Sequence, residues 1–423
     1  MLQHYRNFLS FKDIVTFSMV TAPIKDDKTG NTFSVGKLSL LKSSAIYGAN
    51  ASGKSNLLKS MSFIRYLVLN SLKNIGSSDS MIINKFRLSS VTENEASYFE
   101  ISFIYNEKKY RYGFEIDNAE IISEWLFFTP SRQEARLFVR DGQKIDMGRY
   151  FKEGRGLEKK TRPDVLFLPV VAQFNGEISM GILNWFGSFN TISGLNDRNY
   201  MPITVDCIKD SGVKKKLIKY LKVADFNIDD IRIERNMSHY PESPEEIKTE
   251  FSEKAVEETE EVSISVIHRK YNDNLEVQSV EKFDLENDES EGTKKFLGIM
   301  GPVLNTIDNG SVLIIDEFDA RFHPFVTQLI IQLFHSGEIN SKNAQLIFAT
   351  HDTNLLSREL FREDQIWFVE KDEYGATDLY SLVEYKHLKK NTISYENDYM
   401  LGKYGAIPFI GNFELLLSDN YEK

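Results

Sequence analysis

The 423-residue sequence has a single cysteine, Cys207. No intramolecular disulfide can form, and there is no cysteine cluster to hold a metal. That usage fits a reducing compartment, and a cytoplasmic location is expected. No apolar run approaches the ~20 residues of a membrane-spanning helix, so no membrane contact is expected. Met1 to Arg6 leads straight into an alternating, strand-like run without the pattern of a signal peptide. Sustained heptads and internal repeats are lacking too, which excludes a long coiled coil or a solenoid. Basic residues are outnumbered: 51 Lys and Arg stand against 62 Asp and Glu, a net charge of -11. The surface as a whole does not attract nucleic acid. Any DNA contact must use local clusters such as Lys152, Arg155, Lys159, Lys160 and Arg162, or Lys214, Lys215 and Lys216, and such clusters are more often solvated faces. What remains is an ordinary globular balance, 41% hydrophobic and 27% charged, in a chain long enough for two or three domains.

One stretch organises the rest. Gly48, Ala49, Asn50, Ala51, Ser52, Gly53, Lys54 and Ser55 follow an apolar strand and precede a helix with Leu57, Leu58, Met61, Ile64 and Leu67 on one face. This is the G-x-x-x-x-G-K-S pattern of a phosphate-binding loop. Its glycines let successive N–H groups converge on an anion, and the helix N-terminus adds partial positive charge. Lys54 can reach the β- and γ-phosphates of a nucleotide, and the Ser55 hydroxyl can hold Mg²⁺.

The remaining sequence divides by pattern. Residues 1–75 read as an N-terminal lobe with the loop. Residues 76–165 read as an antiparallel β-subdomain after a polar break at Gly76–Ser80, with alternation through Phe99–Tyr105 and Tyr110–Ile116 and an Asp141-Gly142 hairpin signal. Residues 166–236 read as a helical insertion, 237–261 as an acidic linker, 262–380 as a second α/β lobe and 381–423 as a tail. In the second lobe, Val312–Ile315, Leu346–Thr350 and Ile366–Val369 are short apolar runs, as expected for buried parallel strands. Phe325, Leu329, Ile330, Leu333 and Phe334 make a helical stripe between the first two. The fold class expected is α/β.

Asp316 and Glu317 end the first of these strands. An Asp there can hold Mg²⁺ through water, and a Glu can orient or deprotonate the attacking water. An acidic pair at a strand end is common by itself; a phosphate loop upstream makes it informative. His351 ends the next strand, where it can contact a γ-phosphate, although an isolated His is more often a cap or core residue. Ser290, Gly292 and Thr293 offer a hydroxyl, a glycine N–H and a helix start; the same residues read equally as a plain helix cap.

In this order, phosphate loop, Ser-x-Gly segment, hydrophobic-Asp-Glu and Thr-His-Asp, the motifs resemble the ABC-type ATPase head of SMC, RecF and OLD proteins. Tyr5–Asp13 is similar to the first strands of those heads. More narrowly, Glu289–Lys294, Asp316–Pro324 and Gly402–Pro408 resemble ATPases of bacterial anti-phage and abortive-infection systems such as PARIS and Septu. The resemblance implies an ATPase head with ATP and Mg²⁺ as cofactors. Lys54 and Ser55 then match the phosphate-binding Lys and the metal ligand, Asp316 the Walker B Asp, Glu317 the catalytic Glu and His351 the switch His. Ser290 and Gly292 match the signature residues that touch the γ-phosphate held by a facing subunit, here in Ser-Glu-Gly-Thr rather than Ser-Gly-Gly. Asp319 sits near the D-loop position. Gln173 is the nearest match to a Q-loop metal ligand and reads equally as a core-edge polar residue.

Three functions follow as expectations. The first is an ATPase sensor or scaffold of a defence system, a homodimer or larger homo-oligomer controlling a separate effector such as a nuclease or toxin, with the Tyr404–Pro408 tail and the helical insertion as candidate docking surfaces; the tail reads equally as the C-terminus packing onto the head. The second is a RecF-like DNA-repair ATPase. The third is the ATPase subunit of a transporter, which the large β-subdomain and the unusual signature weigh against.

Overall fold

The computed structural model describes residues 1–25, 28–73, 83–237, 260–385 and 394–408. The break at Gly76–Ser80, Asp26 and Asp27 of the first turn cluster, and most of the acidic linker lie outside the described residues.

The alternating start of the chain forms two antiparallel strands, β1 (Leu2–Arg6) and β2 (Val15–Ser18). A small hairpin follows, β3 (Thr32–Val35) with β4 (Leu38–Leu41). The wholly buried β5 (Ser43–Tyr47) then leads through the glycine loop into α1 (Lys54–Asn70). Leu57, Leu58, Met61, Ile64 and Leu67 are all buried on the inner face of α1, as their spacing predicts.

Period-two alternation then produces a meander: β6 (Ser97–Tyr105), β7 (Lys108–Asp117), β8 (Glu120–Thr129), β9 (Ala135–Asp141) and β10 (Lys144–Met147). The β6–β7 turn uses Asn106 and Glu107, both at positive φ (47° and 61°), the backbone that matches the right-handed twist of a two-residue hairpin. With β1 and β2 these strands make a seven-stranded antiparallel sheet in the order β10-β9-β8-β7-β6-β1-β2. Phe99, Ile101 and Phe103 from one strand and Tyr110, Tyr112 and Phe114 from the next enter the core.

Two helices follow, α2 (Phe167–Gln173) and α3 (Glu177–Gly187). The buried Glu124 carboxylate accepts hydrogen bonds from the first N–H groups of α2, Phe167 at 2.6 Å and Leu168 at 3.0 Å, and from the Tyr112 hydroxyl at 2.9 Å. The stretch 166–236, read as a helical insertion, is broken by a short strand, β11 (Asn190–Ser193). Its four residues pair in parallel with the Asp316 strand, and that ladder, not local propensity, makes them a strand.

The chain divides into two units, Met1–Leu195 with Thr306–Lys423, and Asn196–Asn305. The second unit contains α4 (Met201–Cys207), α5 (Ser211–Val223), β12 (Asp230–Met237), β13 (Glu260–Tyr271), β14 (Val277–Asp284) and most of α6 (Glu291–Asn309). Its three strands form an antiparallel sheet that the sequence reading did not anticipate, and Glu260 and Glu261, read as linker, begin β13. Lys214, Lys215 and Lys216 do lie on a helix, α5.

The first unit resumes with β15 (Val312–Asp316), α7 (Pro324–His335), β16 (Gln345–Ala349), β17 (Ile366–Lys371), β18 (Thr377–Ser381) and α8 (Tyr395–Met400). Its second sheet runs β11-β15-β16-β5-β17-β18, parallel except for β18. The α/β class expected from the sequence is the one found, a parallel P-loop sheet accompanied by an antiparallel β-subdomain and helical segments. One stripe residue departs from expectation: Phe325 on α7 is 72% exposed. Beyond α8 the chain packs back onto β17 and β18. Tyr404 is buried, stacks on Phe368, and its carbonyl accepts hydrogen bonds from the Tyr380 and Tyr385 hydroxyls.

Candidate functional site

Parallel strands point their carboxyl ends the same way, and in open α/β sheets ligands bind at those ends. Here β5, β15, β16 and β17 end around one cavity of about 380 Å³, at which Lys54, Ser55, Asp316, Glu317 and His351 all meet. Asn50, Ala51, Ser52 and Gly53 of the glycine loop line it as well. Segments more than 250 residues apart converge here because β16 lies between β5 and β15 in the sheet.

The loop geometry needs its glycines. Gly53 has φ 122°, and a Cβ there would fall 2.6 Å from the Thr377 hydroxyl oxygen. Gly48 has φ 157°, and a Cβ would meet the Val369 carbonyl at 2.4 Å. The loop is therefore pressed against β17 and β18. Thr377 donates its hydroxyl to the Ser52 carbonyl at 2.8 Å and lies 2.8 Å from Ser10 Oγ, which also accepts from Asn56 Nδ2 at 2.8 Å. Replacing Thr377 by the isosteric valine removes these bonds and leaves the Ser52 carbonyl without its hydroxyl donor. A loss of about 1–2 kcal/mol in urea unfolding is expected, together with weaker nucleotide binding. Wild-type stability and affinity in Thr377→Val would show that the brace contributes nothing.

Lys54 donates to two carbonyls of its own loop, Gly48 at 2.7 Å and Ala49 at 3.1 Å. Burial pushes its ammonium pKa down to about 8, opposed by the negative charges of Asp316, Asp319 and Glu317. The ammonium is thus held over the loop and faces acids across the cavity.

Asp316 Oδ1 is buried and has no hydrogen-bond partner among the described residues. An unsatisfied buried carboxylate oxygen is costly unless a cation or water completes it. Together with the Ser55 hydroxyl in the same cavity it forms the oxygen donor set that Mg²⁺ takes. These residues fit the ion. Glu317 has φ 51°, a left-handed backbone that is strained for a side-chain-bearing residue and recurs at functional sites. His351 is placed by its neighbours. Its N–H donates to Asp319 Oδ1 at 3.2 Å, Thr350 N–H donates to the Ile46 carbonyl at 3.2 Å, and the Tyr47 hydroxyl reaches the Asp352 carbonyl at 3.2 Å. Burial first, and then Lys54, lowers the His351 pKa, which favours the neutral imidazole.

Five sequence-predicted residues are not in the lining: Gly48 and Ala49, whose carbonyls accept from Lys54, and Gln173, Ser290 and Gly292. Gln173 ends α2 with an exposed side chain and does not line the cavity. Ser290 and Gly292 belong to the second unit, at the start of α6. There Ser290 Oγ accepts the Thr293 N–H at 3.1 Å, a helix cap. The cavity also holds residues that the motifs did not reveal. Asn56 follows the loop, and Lys371 ends β17. The apolar run Ile366–Val369 was the available signal: a strand pairing beside β5 must deliver its last residue to the loop.

No curated protein matches the sequence at a significant level. Two solved structures resemble it at low identity. An SMC head domain from Thermotoga maritima is 13% identical over 90% of this chain and 97% of its own, with a TM-score of 0.40. An Smc head domain from Pyrococcus furiosus, with an extended coiled coil and bound to the C-terminal domain of ScpA, is 13% identical over 95% of this chain and 98% of its own, with a TM-score of 0.35. A family match runs over residues 43–357, from the strand before the glycine loop to just beyond His351. The chain belongs to the family described as "AAA domain, putative AbiEii toxin, Type IV TA system".

Proposed function

We propose that this protein is an ATPase in which two copies sandwich two MgATP molecules, and that the ATP-dependent assembly controls a separate effector in a bacterial anti-phage system. The observation that carries the ATPase reading is the single cavity at which Lys54, Ser55, Asp316, Glu317 and His351 meet. The loop N–H groups and Lys54 bind the phosphates. Asp316 and Ser55 would hold Mg²⁺, which when bound neutralises charge on the β- and γ-phosphates. Glu317 orients the attacking water and takes its proton. His351, neutral and fixed by its backbone bonds, contacts the γ-phosphate and registers its loss.

The assembly and the defence role rest on the resemblance of Glu289–Lys294, Asp316–Pro324 and Gly402–Pro408 to ATPases of PARIS and Septu. The family description names a putative AbiEii toxin of a type IV toxin–antitoxin system. Ser290 and Gly292 supply the contact to the partner's γ-phosphate. ATP favours the dimer because nucleotide bound between two copies stabilises only the associated state. Nuclease or toxin activity belongs to a separate chain that docks on this one.

Ser290→Arg tests the assembly. Light scattering of the full chain with ATP is expected to show a dimer for the wild type and a monomer for Ser290→Arg. Ser290→Ala, which loses the same helix cap at a cost of about 1 kcal/mol but adds no bulk, is expected to remain dimeric. A normal ATP-dependent dimer in Ser290→Arg would discard the two-subunit site while leaving the ATPase reading standing. The RecF-like alternative draws on the exposed Lys152, Arg155 and Lys159, whereas Arg162 and Lys214 are paired with Asp164 and Asp230. DNA binding that weakens steeply with salt would favour that reading.

A further inference from the structure

A second cavity, of about 470 Å³, occupies the other end of the same two strands. Val312 and Gln345, the first residues of β15 and β16, line it, whereas their last residues, Asp316 and Ala349, line the nucleotide cavity. At about 3.3 Å per residue the two cavities are separated by little more than the length of one short strand.

Its walls are aromatic and rigid. Trp185 stacks face to face on Phe103, with ring centroids 3.8 Å apart and planes at 15°, and meets Phe189 edge-on at 4.6 Å. Phe33 of the β3–β4 hairpin closes another side. Trp185 is held by Phe103 and Phe189, so an entering planar group would meet a preformed surface there. The charged lining is one-sided. Lys109 and Lys342 line the cavity and no Asp or Glu does, in a chain that carries 62 acidic residues. Neither ammonium has a hydrogen-bonded partner among the described residues, and the charge of Lys109 acts on Glu134. A void of this size with apolar walls and a few convergent polar groups has the anatomy of a small-molecule site.

We infer that this cavity binds a small organic anion with a planar apolar body. The body packs against Trp185 and Phe33, and the carboxylate, sulfonate or phosphate pairs with Lys109 and Lys342. The site is independent of the nucleotide and of the ATPase reading.

The probe 1-anilinonaphthalene-8-sulfonate carries both features, and N-phenyl-1-naphthylamine is its neutral counterpart. With the full chain, the sulfonate is expected to bind saturably at one per chain, with energy transfer from tryptophan that Trp185→Phe reduces without loss of binding. The double variant Lys109→Ala, Lys342→Ala is expected to raise the sulfonate Kd at least about tenfold while changing that of the neutral probe less than about twofold. Val35→Trp, which fills the cavity, is expected to abolish binding of both probes with ATP affinity unchanged. The inference is overturned if the sulfonate does not saturate at one per chain, if ATP displaces it, or if its affinity survives the double lysine change. Both lysines are exposed, so that variant tests the inference even if the tryptophan substitution fails to fold.

Discussion

Glutamine in place of Glu317 is expected to slow ATP hydrolysis about 10²–10³-fold while leaving ATP affinity within about twofold of wild type. The amide keeps the size of the side chain and its place at the end of β15 but cannot accept a proton. Nothing in the loop contacts changes, because Lys54 and the loop carbonyls bond among themselves. The signature is therefore a fall in kcat without a matching rise in Kd, and ATP-bound species that persist long enough to isolate. Steady-state phosphate release and equilibrium nucleotide binding on the same preparation separate the two quantities. Unchanged turnover would remove Glu317 from the base role and turn attention to Asp316 or His351, the other titratable groups at the cavity besides the two lysines.

Lys54→Ala acts on the other quantity. Removing a buried cation that pairs with phosphate should raise the ATP Kd by about a hundredfold, the effect of losing roughly 3 kcal/mol of charge-assisted hydrogen bonding. The same lysine predicts a pH dependence. Burial holds its pKa near 8, so below that pH the ammonium is present and can pair with phosphate. Above it the amine is neutral, and binding must first take up a proton. ATP affinity should therefore fall as pH rises through about 8, by up to about tenfold per unit. Lys54→Ala should show no such break. Affinity in Lys54→Ala equal to that of wild type would undo the assignment of the loop.

Much of this was legible before any coordinates. Buried parallel strands are short and apolar throughout, so β15, β16 and β17 stood out against polar flanks. The meander showed its period of two. The glycine loop announced itself because few other sequences satisfy a strand-to-helix turn that wraps an anion. What stayed hidden depends on partners far away in sequence. Asn190–Ser193 contains one apolar residue and is a strand only because β15 lies beside it. Thr377 looks like any strand threonine until the register Lys371↔Thr377 sets it against Ser52. Phe325 joins the helical stripe in sequence and faces solvent in the fold, since periodicity marks a face without saying how far burial extends. Ser290 is ambiguous for a different reason: capping a helix and touching a partner's phosphate call for the same hydroxyl at the same place.

The brace across the glycine loop also sets an order on biosynthesis. The loop leaves the ribosome early, but the strands on both sides of β5, and the threonine that clamps Ser52, come roughly 300 residues later, about 15–60 s at ordinary elongation rates. Until then β5 has no neighbours and the turn nothing to press against. A nascent chain is accordingly expected to be silent toward ATP until β18 has been made, and messages cut short before β18 to yield products that do not compete for nucleotide.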